Sequence, residues 1–394
     1  MEVLYVVSRF PKISESFILN EIHELHERGH DVSVFSFARP EDDFYHTEIE
    51  DIDVTVGYAN RPSPGMLPGL LSRKVLNASV LREGLFLDRP LYSAYWLHVG
   101  KQIAEMIERV GGVDIVHSHF AVPNRIGAVY AAAYHDIPCT VTAHAYDIFR
   151  TNDTRQLKRV CSRFDHVVVP AEYNKRYLAD EIGLETEMSV VPATTRVDKF
   201  EPSGECVPGR LLTVARLVEK KGHRYAIDAV ADLVDRGYDV EYHLVGTGEQ
   251  EDALRALVEK RGIREHVEFL GNVSDERLIE EFHDAAIFVL PCVIAADGDR
   301  DITPVALREA MATRTACVST NITAIPEVIT HGHDGILVEP NDTEALAEAI
   351  GGLLGDSRRR EELAGNARET MDERFDISNA VDRLVDIFDT LVKQ

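Results

Sequence analysis

Two carboxylates eight residues apart, Asp301 and Glu309, carry the strongest chemical signal in this chain. They lie in the stretch Phe288–Pro340, where an apolar strand ends at Pro291 and a loop rich in Asp and Gly follows. Thr303-Pro304 then opens a helix that carries Glu309. The first-turn amides of a helix have no acceptor within it and can hold an anion. A carboxylate just ahead of that turn and another two turns in can hold two parts of one ligand. Hydroxyls at both ends and a diphosphate in the middle describe a nucleotide sugar. Glu309 is flanked by the apolar Leu307, Ala310 and Met311, so its helix is expected to be largely buried, and a buried carboxylate needs partners.

The elements that must position these groups alternate. Strands read at Val3–Val7, Asp31–Phe37, Asp114–His117, Thr140–Thr142 and His166–Val169, with helices at Ser16–Arg28, Ile126–His135 and Thr154–Arg163. The segment Arg196–Arg210 has two Pro, two Gly and no period, and reads as a linker. Alternation resumes with strands at Arg210–Val214, Glu241–Val245, Val267–Leu270, Ile287–Leu290, Ala316–Ser319 and Gly335–Val338. Helices fall between them at Tyr225–Arg236, Gln250–Lys260 and Glu276–Ala285. Such alternation predicts α/β architecture with parallel sheets, and ligands beyond the carboxyl ends of the strands.

Bulk composition narrows the function. The chain has 394 residues, 45% of them hydrophobic, enough for two domains. A net charge of −25 argues against nucleic acid as a partner, because phosphate binding needs basic patches. Only 10 of the 42 basic residues are Lys, and heavy Asp/Glu use with little Lys predicts a halophilic protein of a high-salt cytosol. The five cysteines show no paired or metal-ligand spacing and read as small buried hydrophobes in a reducing compartment. No basic leader or apolar run of membrane-spanning length is visible, so the expected location is cytoplasmic.

Several segments resemble the retaining glycosyltransferases of family 4, which have the GT-B fold. The likeness spans nearly the whole chain and is strongest from Leu211 to Ile350. The start SRFPKISESFILNEIHELHERGHDVSVFSF, with HSHFA and TAHAYDIF, is most similar to the exopolysaccharide and colanic-acid group. The resemblance implies two Rossmann-like doubly wound domains facing a central cleft. Residues 1–200 would bind the acceptor and residues 201–375 the nucleotide sugar. A last helix, Ile377–Lys393 within 376–394, would pack back on the first domain.

Within VARLVEKKG, Arg216 and Lys221 match the pair that grips the donor diphosphate. VGTGEQ supplies Gly246 at the turn that approaches the nucleotide, and FLGNVSDERL supplies Asn272 and Val273 for the base. DRDITPVALREAMA occupies the place of the two-carboxylate motif. There Glu309 would bind the ribose, Asp301 a hydroxyl of the donor sugar, and Thr303, Pro304 and Val305 would build the helix start. The family usually has Glu and then Gly where this chain has Asp301 and Ile302, so the carboxylate must sit closer or bridge through water. His144 matches the histidine beside the reacting sugar, which makes His144, Asp301 and Glu309 the implied catalytic set.

No metal is expected, and no cofactor beyond the donor substrate. Near the start of the chain, Arg9, Lys12, Ser14 and Glu15 could meet the acceptor, with His119 further along, although capping by Ser14 or Ser16 explains the serines equally well. His117 and His119 also read as core histidines. Residues 54–102 combine Trp96, Tyr92 and Tyr95 with Arg61, Arg73, Lys74, Arg82, Arg89 and Lys101. That island could touch the inner face of a membrane or a lipid-linked acceptor, or be insertion helices packed on the domain.

The expectation is therefore sugar transfer from a nucleotide sugar to a saccharide or lipid-linked acceptor. Two rivals are an epimerase-like enzyme of the same fold, which would give a free sugar-nucleotide product without an acceptor, and a degenerate non-catalytic partner of a transferase.

Overall fold

The computed structural model describes residues 1–12, 15–40, 52–60, 90–149, 153–194, 196–204 and 206–393. Ser14 and the basic residues from Arg61 to Arg89 lie outside them. Two compact units emerge: Met1–Pro192 together with Ala380–Gln394, and Ala193–Asn379.

The first unit holds seven strands: β1 (Glu2–Arg9), β2 (Asp31–Ala38), β3 (Thr55–Tyr58), β4 (Ile115–His119), β5 (Cys139–Thr142), β6 (His166–Val169) and β7 (Met188–Val190). They form one parallel sheet in the order β3-β2-β1-β4-β5-β6-β7. Leu4, Val6, Val116, Val141 and Val167 from the strands pack with Val99, Ile103, Met106 and Ala128 from helices. The helix Pro90–Val110 buries Trp96 to 3% exposure, so this ring belongs to the core and is not displayed to a membrane.

The second unit repeats the plan with six strands: β8 (Arg210–Val214), β9 (Glu241–Val245), β10 (Val267–Gly271), β11 (Ile287–Leu290), β12 (Ala316–Thr320) and β13 (Ile336–Val338). Their order is β10-β9-β8-β11-β12-β13, again parallel. The segment read as a linker, Arg196–Arg210, belongs to this unit, and Val197 and Phe200 are buried in its core. The helix Ile377–Val392 reaches the first unit from Ala380 onward, where Asp382 pairs with Arg28 and the Phe388 ring lies 5.2 Å from that of His117.

Both sheets reverse direction of winding once, at β1/β4 in the first and β8/β11 in the second. Chain leaving adjacent strands at such a point diverges to opposite faces and opens a crevice at the carboxyl ends. The residues following β8 and β11, and those following β1 and β4, are therefore placed by topology to meet ligands.

Candidate active site

In the second unit, the connection after β8 brings two lysines against the loop after β11. Lys221 Nζ lies 2.5 Å from Asp301 Oδ2, and Lys220 Nζ is 3.1 Å from both Asp301 Oδ1 and Asp299 Oδ1. Close backbone packing makes this possible. Gly222 has φ +71° and sits where a Cβ would meet the Pro291 carbonyl oxygen at 1.8 Å, and the Val293 amide donates to the Lys220 carbonyl. Burial alone would push the Asp301 carboxyl up, but Lys221 and Lys220 outweigh it and hold it below the usual range. Burial likewise works against charged Lys221, and Asp301 more than compensates. The Cys292 thiol, 4.0 Å from Asp301, is pushed up to about 12 by burial and by that carboxylate, so it is no nucleophile.

The helix Val305–Ala312 begins at Pro304 with no side chain capping it. The helices Asp275–Asp284, Thr343–Gly355 and Ser357–Thr370 are all capped, by Ser274, Asp342 and Asp356. An uncapped helix start presents amides and the positive end of the helix dipole. Ile302, in place of the family's Gly, is buried and is not among the residues with positive φ, so the turn ahead of this helix does not need glycine. Glu309 is half-buried on that helix, and its neighbour Arg308 is fully buried. Arg216 is exposed just beyond β8. Gly246, after β9, has φ +125° and lies where a Cβ would come 2.2 Å from the Ala215 carbonyl oxygen, so only glycine lets these two strand ends meet.

In the first unit, residues after β4 and β5 meet β1 and the helix Ser16–Glu27. Tyr5 OH donates to Glu21 Oε1 at 2.6 Å, His119 Nε2 is 3.2 Å from the same oxygen, and His119 Nδ1 is 3.0 Å from His144 Nε2. Burial raises the Glu21 carboxyl, while His117 and the Tyr5 hydrogen bond favour its charged form, and in that ionised form it sets the polarity of the chain. His119 donates from Nε2, its Nδ1 must accept, and His144 must carry its proton on Nε2. The Nδ1 of His144 is then a lone-pair acceptor. Burial lowers His119 to about 3, helped by Arg125, and lowers His144 well below its ordinary value, helped by His119. Both rings are neutral at pH 7.

His144 is further fixed by ring packing with Phe17 at 4.9 Å and Phe120 at 4.5 Å. Its backbone amide donates to Asp147 Oδ1 at 3.0 Å. Asp147 also accepts from the Ala121 amide and, buried, is pushed up to about 7. It lines a cavity of about 300 Å³ with Tyr146, Val122 and Gln156. Arg125 is fully buried under this site, donating to the His119 carbonyl and to Ser8 Oγ. Glu21, His117 and His119 stand at metal-ligand distances from one another, but His117 already meets Thr140 and Thr142 through its two nitrogens.

The family model for Glycosyltransferase Family 4 matches residues 14–198, and that for Glycosyl transferases group 1 matches residues 207–370. Over 95% of this chain and 96% of the relative, it is 26% identical to the protein named as the colanic acid biosynthesis glycosyltransferase WcaL of Salmonella typhimurium. The amylovoran biosynthesis glycosyltransferase AmsK of Erwinia amylovora is 25% identical over 89% of this chain and 90% of its own. The chain belongs to the GT-B glycosyltransferases. In fold, this glycosyltransferase matches Anabaena HepE, solved in complex with UDP-glucose, with a TM-score of 0.76, 18% identity, and coverage of 99% of this chain and 100% of HepE.

Of the residues expected in the glycosyltransferase site, Lys221 and Asp301 are joined directly. Gly246 lies against Ala215, the neighbour of Arg216, and Thr303, Pro304 and Val305 form the uncapped helix start. Asn272 is exposed after β10, and Val273 packs on the core. Lys12 is paired with Glu15, and Ser16 is the first residue of a helix whose N-cap position is Glu15, so Ser16 is no cap, while Ser14 lies outside the described residues. Arg9, the last residue of β1, is half-buried. His119 is buried with both ring nitrogens engaged, which gives it a supporting place behind His144 and no free nitrogen for an acceptor. Sequence reasoning missed Lys220, hidden by its neighbour Lys221, and Tyr5 and Glu21. Tyr5 reads as an ordinary strand residue, and Glu21 as one more helix acid.

Proposed function

We propose that this glycosyltransferase moves a sugar from a nucleoside-diphosphate sugar to a saccharide or lipid-linked acceptor in surface polysaccharide assembly, with retention of anomeric configuration. The observation that carries the reading is the uncapped start of the helix Val305–Ala312, preceded by an aspartate that holds two lysines. A diphosphate supplies the anion that this start lacks and a second partner for Lys221. The biosynthetic setting is that of WcaL and AmsK by name, and HepE binds a donor of this class.

In the transfer, the acceptor oxygen bonds to the anomeric carbon from the face the diphosphate leaves. The bond from that carbon to the phosphate oxygen breaks, and the acceptor proton passes to the departing phosphate. Arg216 and Lys221 stabilise the charge that grows there. Glu309 binds the ribose, Asp301 a sugar hydroxyl, and the Nδ1 lone pair of His144 a hydroxyl beside the reacting carbon. No divalent cation takes part.

A thermal-shift panel at high salt with UDP-, GDP-, ADP- and dTDP-sugars tests this on wild type and Glu309→Ala. Stabilisation by one nucleotide class, lost in the variant, is expected and names the base. Absence of a shift with all four overturns donor binding.

A further inference from the structure

At the amino ends of β9 and β10, away from the donor site, three potential ligand atoms converge. His243 Nε2 is 3.1 Å from Glu241 Oε1 and 3.6 Å from Glu268 Oε2, and all three atoms lie within 4.8 Å of one another. Sheet register creates the cluster: His243 pairs with Glu268 across the ladder, and Glu241 is two residues earlier on the same face. His243 is 2% exposed, yet its Nε2 makes no hydrogen bond, because neither oxygen is placed to receive one from the ring.

That geometry is poor for a hydrogen bond and good for a metal. A hydrogen-bonded oxygen must sit on the ring N–H axis, whereas a metal takes the axis and pushes its other ligands off it. Ligands about 2.0–2.2 Å from a tetrahedral zinc stand about 3.4 Å apart, and the two observed separations bracket that spacing.

The surroundings complete the pattern. His243 Nδ1 donates to Glu281 Oε2 at 2.6 Å, and Glu281 is fully buried, its other oxygen held by Arg277. A carboxylate behind a histidine fixes the tautomer that leaves Nε2 as a ligand and raises its basicity. Arg210 engages Glu241 through Oε2 alone, which leaves Oε1 to the site. Five carboxylates (Glu241, Glu268, Glu280, Glu281 and Asp284) surround two guanidiniums, Arg210 and Arg277, leaving three negative charges uncompensated.

We propose that Glu241, His243 and Glu268 bind one zinc-class divalent cation, with water as fourth ligand and Glu281 orienting the histidine. The ion ties β9 to β10 and serves stability. Burial works against a charged His243, but Glu281 and then Glu241 outweigh it and raise its proton affinity, so a bare imidazolium is the competing occupant of this negative field.

Full-length protein stripped with chelator and titrated with Co²⁺ tests the assignment. One equivalent is expected to develop the visible absorption of tetrahedral cobalt and to be displaced by Zn²⁺. Glu268→Gln changes a side chain that is 59% exposed, so the fold is preserved. It is expected to weaken binding at least tenfold, and Glu281→Gln about 10–100-fold. Zn²⁺ should raise the melting temperature of the wild type and not of Glu268→Gln. Absence of saturable binding, or equal binding by wild type and Glu268→Gln, overturns the proposal.

Discussion

Lys221 Nζ and Asp301 Oδ2 are 2.5 Å apart, and the pair joins the segments that leave the two central strands of the second sheet. Lys221 is 13% exposed and Asp301 16%, so water screens them little. Removing the carboxylate strands Lys221 and half-strands Lys220, which is the costly way to break a buried pair. Asp301→Asn is expected to lose about 3 kcal/mol of stability at pH 7. Asp301 has a depressed folded pKa, so its contribution is present above the unfolded carboxylate value of about 3.9 and lost as pH falls through the folded value. Urea midpoints of variant and wild type should differ equally at pH 7 and pH 5 and converge only below about 4. Convergence already at pH 5 would show that this pairing is not the source.

Glu21, His119 and His144 form a chain, and in the proposed transfer only the last ring meets the ligand, which makes Glu21 and His119 positioning residues. Glu21→Leu removes the acceptor that sets both tautomers. By the scale of lost supporting contacts at metal-bound histidines, kcat should fall about 10–100-fold with donor KM unchanged. Glu21→Gln keeps an acceptor oxygen and should recover most of the loss. The deciding spectrum is nitrogen NMR of His144, whose proton should sit on Nε2 in the wild type and in Glu21→Gln. A proton on Nδ1 in the wild type defeats the account.

The parallel sheets and most strand limits were legible, because buried parallel strands are short apolar runs punctuated by Gly, Pro and Asp. The short strands Thr55–Tyr58 and Met188–Val190 were not, since edge strands of three or four residues carry little period. Trp96 and Tyr95 beside basic residues suggested an interface, but local composition cannot tell a helix face turned to the core from one turned outward. Asp301 and Glu309 were readable because their spacing is local. Glu21 lies 98 residues from His119, and His243 lies 38 from Glu281, so only sheet register and helix packing bring them together.

Acidification should weaken the first unit well above the ordinary carboxylate range. His117 and His119 are each lowered to about 3, by burial first, with His119 repelling His117 and Arg125 repelling His119. The unfolded chain takes up these protons near pH 6.5 and the folded unit does not, so each ring lowers stability by about 1.4 kcal/mol per pH unit between about 6.5 and 3. Asp147, raised to about 7, acts oppositely, because its folded form gains a proton in that window. His144, also lowered by burial, adds to this loss, while Glu21, raised by burial, opposes it together with Asp147, and the three histidines against two carboxyls leave a net loss from about pH 6.5 to pH 5. The urea midpoint should fall accordingly between pH 7 and pH 5. An unchanged midpoint would mean that the rings are accessible and protonate in the folded state.

Arg308 is fully buried on the helix that carries Glu309, and its three guanidinium nitrogens make no hydrogen bond among the described residues. Burial lowers it to about 10, with Glu309 opposing the shift, so it stays charged at pH 7. A buried charge without hydrogen bonds costs stability that a flexible apolar side chain of similar length does not. Arg308→Met should therefore stabilise the protein by about 1–3 kcal/mol, raising the melting temperature by several degrees. Because Arg308 is the charged neighbour of Glu309, the same variant reads its link to the donor site. Donor-induced thermal stabilisation should persist if Glu309 alone binds the ribose. A lower melting temperature in Arg308→Met would show instead that the guanidinium is satisfied in solution, and would refute the buried-charge argument.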